Sequence, residues 1–364
     1  MSGQILKHYL IILLLIFSSI SGCISNDENQ SDSIFNSSIE SPEPHQIIQR
    51  KADGTAGIPI SGFVESYCNL IEARVVSMTK DGIETGDSSE WSTIVAADKS
   101  ENSEYFGTIN AAAGWYRVEI RFSQNGTVID TKSVYPVGIG EVFIISGQSN
   151  SANSGDTKLV PSDSRVSAWG LDGWQFGEDP QPIATGEGGS PWPHFGDLLV
   201  QEYGVPIGLI SVGWGGTAVH QWLPGPSSDS LFHRIEAALD EVGPYGARAI
   251  LWHQGESDLQ IETSTEVYSE RLGVVINTSR EHAGWDIPWV VARASYLPTF
   301  SNESMARIID AQQIVIDNDS LTYEGPYTDD LIGGEWRYDG IHFNELGLIE
   351  HAKRWNNSVI GLIS

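Results

Sequence analysis

A serine and a distant histidine with a carboxylate nearby are the groups in this sequence best suited to chemistry. Ser149 follows the apolar run Val142–Ile145 in the segment Glu-Val-Phe-Ile-Ile-Ser-Gly-Gln-Ser-Asn. A serine hydroxyl becomes a nucleophile when a turn exposes it and a base removes its proton. Asp339 lies three residues before His342, where its carboxylate can accept the imidazole Nδ1–H and orient the ring. The pair predicts a serine hydrolase, although a serine at a strand-to-helix turn is equally typical of a helix N-cap.

Two further polar segments each follow a predicted strand. Residues 213–217, Gly-Trp-Gly-Gly-Thr, place backbone N–H groups where no side chain obstructs a ligand. In residues 252–258, Trp-His-Gln-Gly-Glu-Ser-Asp, the amide of Gln254 can donate to an oxyanion and Glu256 can brace the site. This segment also holds three ligand-type side chains: His253, Glu256 and Asp258. Because no second His-rich segment has suitable spacing, we expect neither a metal nor another cofactor.

The formal net charge of the 364-residue chain is −28, and Lys and Arg form no cluster. Binding to nucleic acid requires cations that neutralise phosphates, so we expect no nucleic-acid partner. The acidity is typical of a well-solvated surface.

The N-terminus has the pattern of an export signal. Residues 1–22 combine Lys7 with a short apolar stretch that is too short for a membrane span. Residues 20–23, Ile-Ser-Gly-Cys, resemble a prokaryotic lipobox, which predicts lipidation of Cys23 and an exported, membrane-anchored lipoprotein at the cell surface or in the periplasm. The alternative is an ordinary signal peptide with an incidental cysteine. Residues 23–54 are polar and predict a disordered tether.

The remaining chain changes character near residue 139. Short alternating runs separated by turn signals predict a small all-β sandwich over residues 55–138. Residues 139–364 alternate strands with helices, which predicts an α/β domain with a mostly parallel sheet covered on both faces. The predicted strands are 142–146, 206–212, 247–252 and 288–294, and the predicted helices are 194–203, 230–242, 264–282, 302–318 and one beginning near Asn344. Catalytic groups in such folds lie at the carboxyl ends of the strands.

The order GQSN, WGGT, WHQGESD and DGIHFN between residues 139 and 355 resembles the SGNH (GDSL-like) hydrolase superfamily. Within it, the chain is similar to the sialate O-acetylesterase-like branch related to carbohydrate esterase family six. The resemblance implies a flavodoxin-like three-layer sandwich. It also implies that Ser149 is the nucleophile, that His342 is the base and that Asp339 orients His342. The implied oxyanion donors are the Ser149 amide, Gly215 and Gln254, with Gly216 as the alternative to Gly215. The implied supporting residues are Gln148, Asn150 and Glu256.

The resemblance further implies an esterase that removes acetyl groups from sugar hydroxyls without a cofactor. Trp192 and Trp214 are candidate sugar-stacking residues. Arg293 is a candidate partner of a sialate carboxylate, with an internal salt bridge as the alternative. Two other functions fit the sequence: an inactive carbohydrate-binding surface lipoprotein, and a lipid or short-chain esterase.

Overall fold

The computed structural model describes residues 35–99, 102–226 and 228–363. The first part of this chain is made of strands, which alternate between buried and exposed side chains. They are β1 (Ile47–Gln49), β2 (Thr55–Val64), β3 (Leu70–Met78), β4 (Glu84–Ser88), β5 (Ser92–Val95), β6 (Ser103–Ala112), β7 (Gly114–Gln124) and β8 (Thr127–Gly147). Strands β2 and β6 form an antiparallel pair, and β3, β7 and β8 form a second antiparallel layer. A shared apolar core lies between them, so the predicted β-sandwich is present.

The second part alternates strands and helices. The strands are β9 (Val166–Gly170), β10 (Gly173–Phe176), β11 (Ile207–Ser211), β12 (Ala249–His253), β13 (Trp289–Arg293) and β14 (Thr322–Tyr327). The helices are α1 (Trp192–Tyr203), α2 (Phe232–Val242), α3 (Glu256–Gln260), α4 (Thr265–Ala283), α5 (Asn302–Asn318) and α6 (Glu345–Ile363).

The second sheet has the strand order β10-β9-β11-β8-β12-β13-β14, with only the β9–β10 pair antiparallel. Its five strands β11-β8-β12-β13-β14, counted along the chain from β8, follow the flavodoxin-like order 2-1-3-4-5. Neighbouring residues of one strand point to opposite faces of the sheet. Ile144 and Trp252 therefore pack with residues of α2, α4 and α5, whereas Ile145 and Leu251 pack with residues of α1 and α6. This is the predicted three-layer sandwich.

Strand β8 belongs to both sheets. It pairs with β7 in the sandwich and with β11 and β12 in the parallel sheet, so it crosses the domain boundary predicted at residues 138 and 139. Exposed and half-buried residues dominate its first part, whereas every residue from Pro136 to Gly147 is buried. The change follows from its neighbours, because a parallel strand between two others is covered on both faces.

Part of the predicted disordered tether is ordered, which corrects that prediction for residues 35–54. Strand β1 runs parallel to β8, with Ile47 opposite Gly138. Ser41 bridges to Ser61 in β2, and Ile47 is buried in the core. The few apolar residues of this segment complete existing surfaces, which a count of polar residues does not reveal. The predicted signal peptide, Cys23 and tether residues 23–34 lie outside the described residues.

The last helix begins as expected. The side chain of Asn344 accepts a hydrogen bond from the Gly347 N–H at 3.0 Å, which caps α6. Among the described helices, none has the length and apolar character required to cross a bilayer.

Glu141 in β8 is a buried carboxylate that ties three segments together. It accepts hydrogen bonds from Arg50 at 2.6 Å, from Arg248 at 2.7 Å and from Gln49 at 2.8 Å. Its side chain has no exposed surface, whereas the two arginine side chains are about one fifth exposed. Removing one member of a buried ion pair leaves the other charges without compensation.

We therefore expect Glu141→Ala to lower the free energy of unfolding by about 3–5 kcal/mol, measured by urea denaturation at neutral pH. Glu350→Ala is the control, because the Glu350 side chain is 30% exposed and its partner Arg354 keeps a second carboxylate, Asp330. The control should lose no more than about 0.5 kcal/mol. Equal losses in the two variants would contradict the structural role of Glu141.

Candidate active site

Ser149 is presented by a turn that only glycine allows. Gly147, the last residue of β8, has φ +124°, and a Cβ there would lie 2.1 Å from the carbonyl oxygen of His253. The Gln148 N–H donates to the same oxygen at 2.8 Å. Ser149 then opens a short 3₁₀ turn, Ser149–Ser151, whose N-cap is Gln148. The alternative that Ser149 caps a helix is therefore wrong.

The hydrogen-bonding groups of Ser149 that matter for chemistry are unused. Within the ranges that the structure describes, neither the Ser149 hydroxyl nor its N–H has a hydrogen-bond partner. The residue is buried, with 6% of its surface exposed. A free hydroxyl beside a free N–H is the arrangement that an acyl-transfer nucleophile requires.

Asp339 and His342 form the predicted pair. Asp339 Oδ2 lies 2.7 Å from His342 Nδ1, and Asp339 Oδ1 accepts the N–H groups of His342 and Ile341 at 2.7 and 2.8 Å. Burial raises the pKa of Asp339, but these hydrogen bonds and the charge of the imidazole outweigh it, so the pKa is below its usual value. An ionised Asp339 favours the tautomer with the proton on Nδ1, which leaves Nε2 as an acceptor.

The His342 loop is attached to the segment that follows Ser149. The Tyr338 hydroxyl donates to the Ser154 carbonyl at 3.3 Å, and the Asp156 N–H donates to the Phe343 carbonyl at 3.3 Å. The ring of Tyr338 also stacks against His342, with centroids 6.2 Å apart. No hydrogen bond joins the Ser149 hydroxyl to the His342 imidazole in the described chain. Such contacts often tighten only when substrate is bound.

A buried arginine that sequence reasoning missed supports this loop from below. Arg337 donates to the carbonyl oxygens of Leu331 at 2.6 Å and Thr328 at 3.0 Å, and it also binds the Ile341 carbonyl. Its guanidinium lies 4.2 Å from the Phe343 ring centroid. An arginine two residues before Asp339 has no recognisable sequence signal for this role, because its partners are backbone carbonyls.

Gly215, rather than Gly216, borders the serine. A Cβ placed on Gly215 would lie 3.7 Å from Ser149 Cβ and 3.6 Å from Thr185 Oγ1, whereas one placed on Gly216 would meet no atom within 4 Å. The Gly215 N–H donates to Thr185 Oγ1 at 2.7 Å. The structure thus brings Gly215 to Ser149, but the Gly215 N–H already has a partner.

The structure does not support Gln254 as an oxyanion donor, which corrects the predicted role. Its side-chain nitrogen lies 2.7 Å from Asp258 Oδ2, 3.0 Å from the Thr217 carbonyl and 3.1 Å from Gln148 Oε1. An amide nitrogen carries two protons, so these three acceptors leave none for a substrate. Gln254 is fully buried and instead ties the Gly215 loop to α3.

The three predicted supporting residues all make buried contacts at the site. Gln148 Oε1 accepts the N–H groups of Gly255 and Ser257 at 3.2 and 3.1 Å. The Asn150 amide donates to Glu256 Oε1 at 2.7 Å. Burial raises the pKa of Glu256, but the His253 imidazole and the Asn150 amide outweigh it, so the pKa is lowered and Glu256 stays ionised. These contacts fix the turn that carries Ser149.

Of the three predicted substrate-binding residues, the structure contradicts two. Trp192 is fully buried and donates from Nε1 to the Ser151 carbonyl at 2.8 Å, so it is a core residue. Arg293 forms an ion pair with Glu324 at 2.5 Å, which is the internal salt bridge given as the alternative. Trp214 is 40% exposed beside Gly215, with the Arg234 guanidinium 4.8 Å from its ring centroid, and its substrate-binding role stays a prediction.

Of the three ligand-type side chains in residues 253–258, His253 and Glu256 approach each other, with Nε2 3.5 Å from Oε1, whereas Asp258 has other partners. Asp258 accepts from the Val219 N–H at 2.7 Å and from the Thr263 hydroxyl at 2.8 Å, in addition to Gln254. The described part of the chain contains no group of three or more His, Cys, Asp and Glu side chains that could hold a metal ion. Asp258 instead anchors the loop that carries Gly215.

Comparison with known proteins identifies the family of this chain. Residues 139–360, well over half of the chain, match the family model described as carbohydrate esterase, sialic acid-specific acetylesterase. A probable carbohydrate esterase from Arabidopsis thaliana is 28% identical over 171 residues, which cover 40% of this chain and 65% of that relative's length.

Two solved structures share the fold. A carbohydrate acetylesterase from Xanthomonas citri aligns over 90% of this chain and 75% of its own length, with TM-score 0.53 and 16% identity. An Arabidopsis thaliana protein aligns over 62% of this chain and 99% of its own length, with TM-score 0.52 and 21% identity. The extent of the family match shows that this chain belongs to the sialic acid-specific acetylesterase family of carbohydrate esterases.

Proposed function

We propose that the protein hydrolyses acetyl esters of sugar hydroxyls through a serine acyl-enzyme. The observation that carries this proposal is the 2.7 Å contact between Asp339 and His342 Nδ1, on a loop fixed to the segment after Ser149. The imidazole presents Nε2 as a base, and the Ser149 hydroxyl has no competing partner. Family membership and the structural neighbours support the same chemistry.

In the proposed acylation, His342 Nε2 takes the Ser149 proton while Oγ attacks the acetyl carbonyl carbon. The carbonyl electron pair moves onto oxygen, and the Ser149 N–H donates to the resulting oxyanion. His342, now an imidazolium stabilised by Asp339, returns the proton to the departing sugar oxygen. Water then attacks the acetyl-serine with His342 again as base, releasing acetate and restoring the hydroxyl.

Trp214 supports a carbohydrate as the leaving group. Its exposed ring lies next to Gly215 at the mouth of the site, and Arg234 stacks on it at 4.8 Å. The Arg234 guanidinium donates to the Val212 carbonyl at 2.9 Å and also to the Ile183 carbonyl, so the platform has a fixed support. A rigid aromatic face is suited to packing against the C–H surface of a sugar ring.

The two alternative functions fit less well. A protein that only binds carbohydrate has no need for a serine, a histidine and a carboxylate arranged for proton transfer. A lipase would require a broad apolar groove at the nucleophile, whereas the residues around Ser149 are largely polar or glycine: Gln148, Asn150, Gly215, Gly216 and Glu256.

Ser149→Ala should abolish acetate release from O-acetylated sialic acids, xylan and pectin fragments, with folding intact because only one oxygen is removed. A coupled acetate assay measures activity and circular dichroism measures folding. Acetate release near the wild-type rate by this variant would refute the mechanism. A wild-type preference for long-chain acyl esters over acetyl esters would favour the lipid esterase, and absence of hydrolysis with retained glycan binding would favour the inactive binder.

Trp214→Ala should raise KM for an acetylated sugar about tenfold while leaving hydrolysis of p-nitrophenyl acetate nearly unchanged, because stacking on a ring is worth about 1 kcal/mol or more. Trp91→Ala is the matched control, since Trp91 also stacks with an arginine, Arg121, at 4.2 Å but lies in the β-sandwich. Equal effects of Trp214→Ala on both esters, or an equal KM change in the control, would contradict the sugar platform.

We also propose that the protein is exported and anchored through lipid on Cys23, as the lipobox pattern predicts. Lipidation of Cys23 would attach two acyl chains to this residue, and two chains are enough for stable membrane anchoring. In a prokaryotic host, wild-type protein should sediment with membranes and partition into detergent, and Cys23→Ser should shift to the soluble exported fraction. Unchanged membrane association of Cys23→Ser would refute lipidation at this residue.

A further inference from the structure

The oxyanion site lacks an evident second donor. Of the three groups that the family resemblance assigns, the Ser149 N–H is free, the Gly215 N–H is bound to Thr185, and the Gln254 amide is bound internally. One donor is a poor match for a tetrahedral oxyanion, because removal of a single donor typically lowers kcat by about 10²–10³.

We propose that the Thr185 hydroxyl is the second oxyanion donor and that the Gly215 N–H acts through it. This inference rests on the proposed esterase function. A hydroxyl has one proton to donate and two lone pairs that accept. Thr185 Oγ1 uses a lone pair for the Gly215 N–H at 2.7 Å, while its own proton has no acceptor among the residues that the structure describes. A hydroxyl that accepts a hydrogen bond donates a stronger one.

Thr185 and Ser149 lie on the same side of Gly215. A Cβ built on Gly215 would lie 3.6 Å from Thr185 Oγ1, 3.7 Å from Ser149 Cβ and 3.9 Å from Ser149 Cα, which are its nearest contacts outside residues 214–216. These are ordinary van der Waals distances. Both residues therefore border one side of Gly215, and in this proposal the oxyanion on an acetyl carbon bonded to Ser149 Oγ is the group that approaches the Thr185 hydroxyl.

Thr185 is held by the two segments that form the rest of the site. Its N–H donates to the Gly213 carbonyl at 3.1 Å, and its carbonyl accepts the Asn153 N–H at 3.0 Å. The Asn153 amide also donates to the Ala184 carbonyl at 3.1 Å. Gly186 has φ +93°, and a Cβ there would lie 2.3 Å from the Asn153 carbonyl oxygen. The loop that carries Thr185 is therefore packed directly against the backbone of Asn153. A donor fixed before substrate arrives needs no reorganisation during the reaction.

The base of this loop is fixed as well. Asp179 accepts the Ser190 N–H at 2.7 Å, the Ser190 hydroxyl at 2.5 Å and the Leu159 N–H at 3.1 Å. Burial raises the pKa of Asp179 to about 6 despite these hydrogen bonds. Thr185 thus lies on a loop that is anchored at its base by Asp179 and at its tip by Asn153.

The competing interpretation is that Thr185 only occupies the Gly215 N–H until substrate displaces it. The two interpretations differ in the effect of removing the Thr185 hydroxyl. If the hydroxyl is a donor, its removal destabilises the transition state and lowers kcat. If it only occupies the Gly215 N–H, its removal frees that N–H and leaves kcat unchanged or higher.

The test compares Thr185→Val, Thr185→Ala and Thr185→Ser, with acetate release from an acetylated sugar and p-nitrophenyl acetate as readouts. The Val and Ala variants should lose about 10²–10³ in kcat with KM changed less than about threefold, and Ser should retain kcat within about fivefold. Wild-type kcat in both the Val and Ala variants would overturn the inference. Absence of Ser149-dependent hydrolysis in the wild type would instead refute the proposed function.

A second measurement separates the donor role from damage to the fold. Methylboronic acid forms a reversible tetrahedral adduct with a nucleophilic serine, and one of its oxygens takes the oxyanion position. Its inhibition constant should rise about 10²-fold or more in Thr185→Ala, with thermal unfolding within a few degrees of the wild type, and should recover in Thr185→Ser. Unchanged inhibition in a folded Thr185→Ala protein would contradict donation by Thr185.

Discussion

The contact between Gly147 and His253 is the constraint on which the site depends. Strands β8 and β12 are neighbours in the parallel sheet, and their ends meet where a Cβ on Gly147 would lie 2.1 Å from the His253 carbonyl oxygen. In this strand order, the connections on either side of the first strand leave towards opposite faces of the sheet and open a crevice. Ser149 stands at the head of that crevice. Any side chain at residue 147 would separate the two strands and move the serine away from Gly215.

The turn that carries Ser149 is fixed by polar groups buried beneath it. Gln148 accepts two backbone N–H groups after β12, Asn150 binds Glu256, and Gln254 binds Asp258. Buried polar groups stabilise a unique arrangement when their partners are present and are costly when they are not. The network therefore exchanges some stability of an apolar core for a rigid position of Ser149. Asp258 extends the same network to the Gly215 loop through the Val219 N–H.

Much of this arrangement could be predicted from the sequence, and the exceptions have physical reasons. The predicted strands and helices occur because their apolar residues follow the periods of strand and helix. Strand β14 was missed because Thr322–Tyr327 contains Gly325 and Pro326 and has no continuous apolar run, which an edge strand tolerates.

Some residues of the site could likewise be predicted from the sequence, and others could not. Ser149, Asp339 and His342 occur in a recognisable order, so the sequence could single them out as candidates, and the contact between Asp339 and His342 was predicted from their spacing. The orientation of the Gln254 amide depends on where Asp258 and Thr217 lie in space, which spacing along the chain does not encode. Thr185 was missed because a threonine among glycines has no distinctive signal until the fold brings it to Gly215. Trp192 was predicted to bind substrate but is a core residue, because tryptophan occurs both in protein cores and at the edges of binding sites.

Strand β8 has a consequence for how this architecture can be inherited. Modules that are exchanged between genes are joined by flexible linkers crossed by few contacts. Here a single 21-residue strand supplies hydrogen bonds to the sandwich at one end and leads into the Ser149 turn at the other. Cutting the gene between the two parts would sever a continuous ladder and expose unpaired strand edges, which promote aggregation. A gene that encodes the hydrolase layer alone therefore has to end or cover this strand near residue 138.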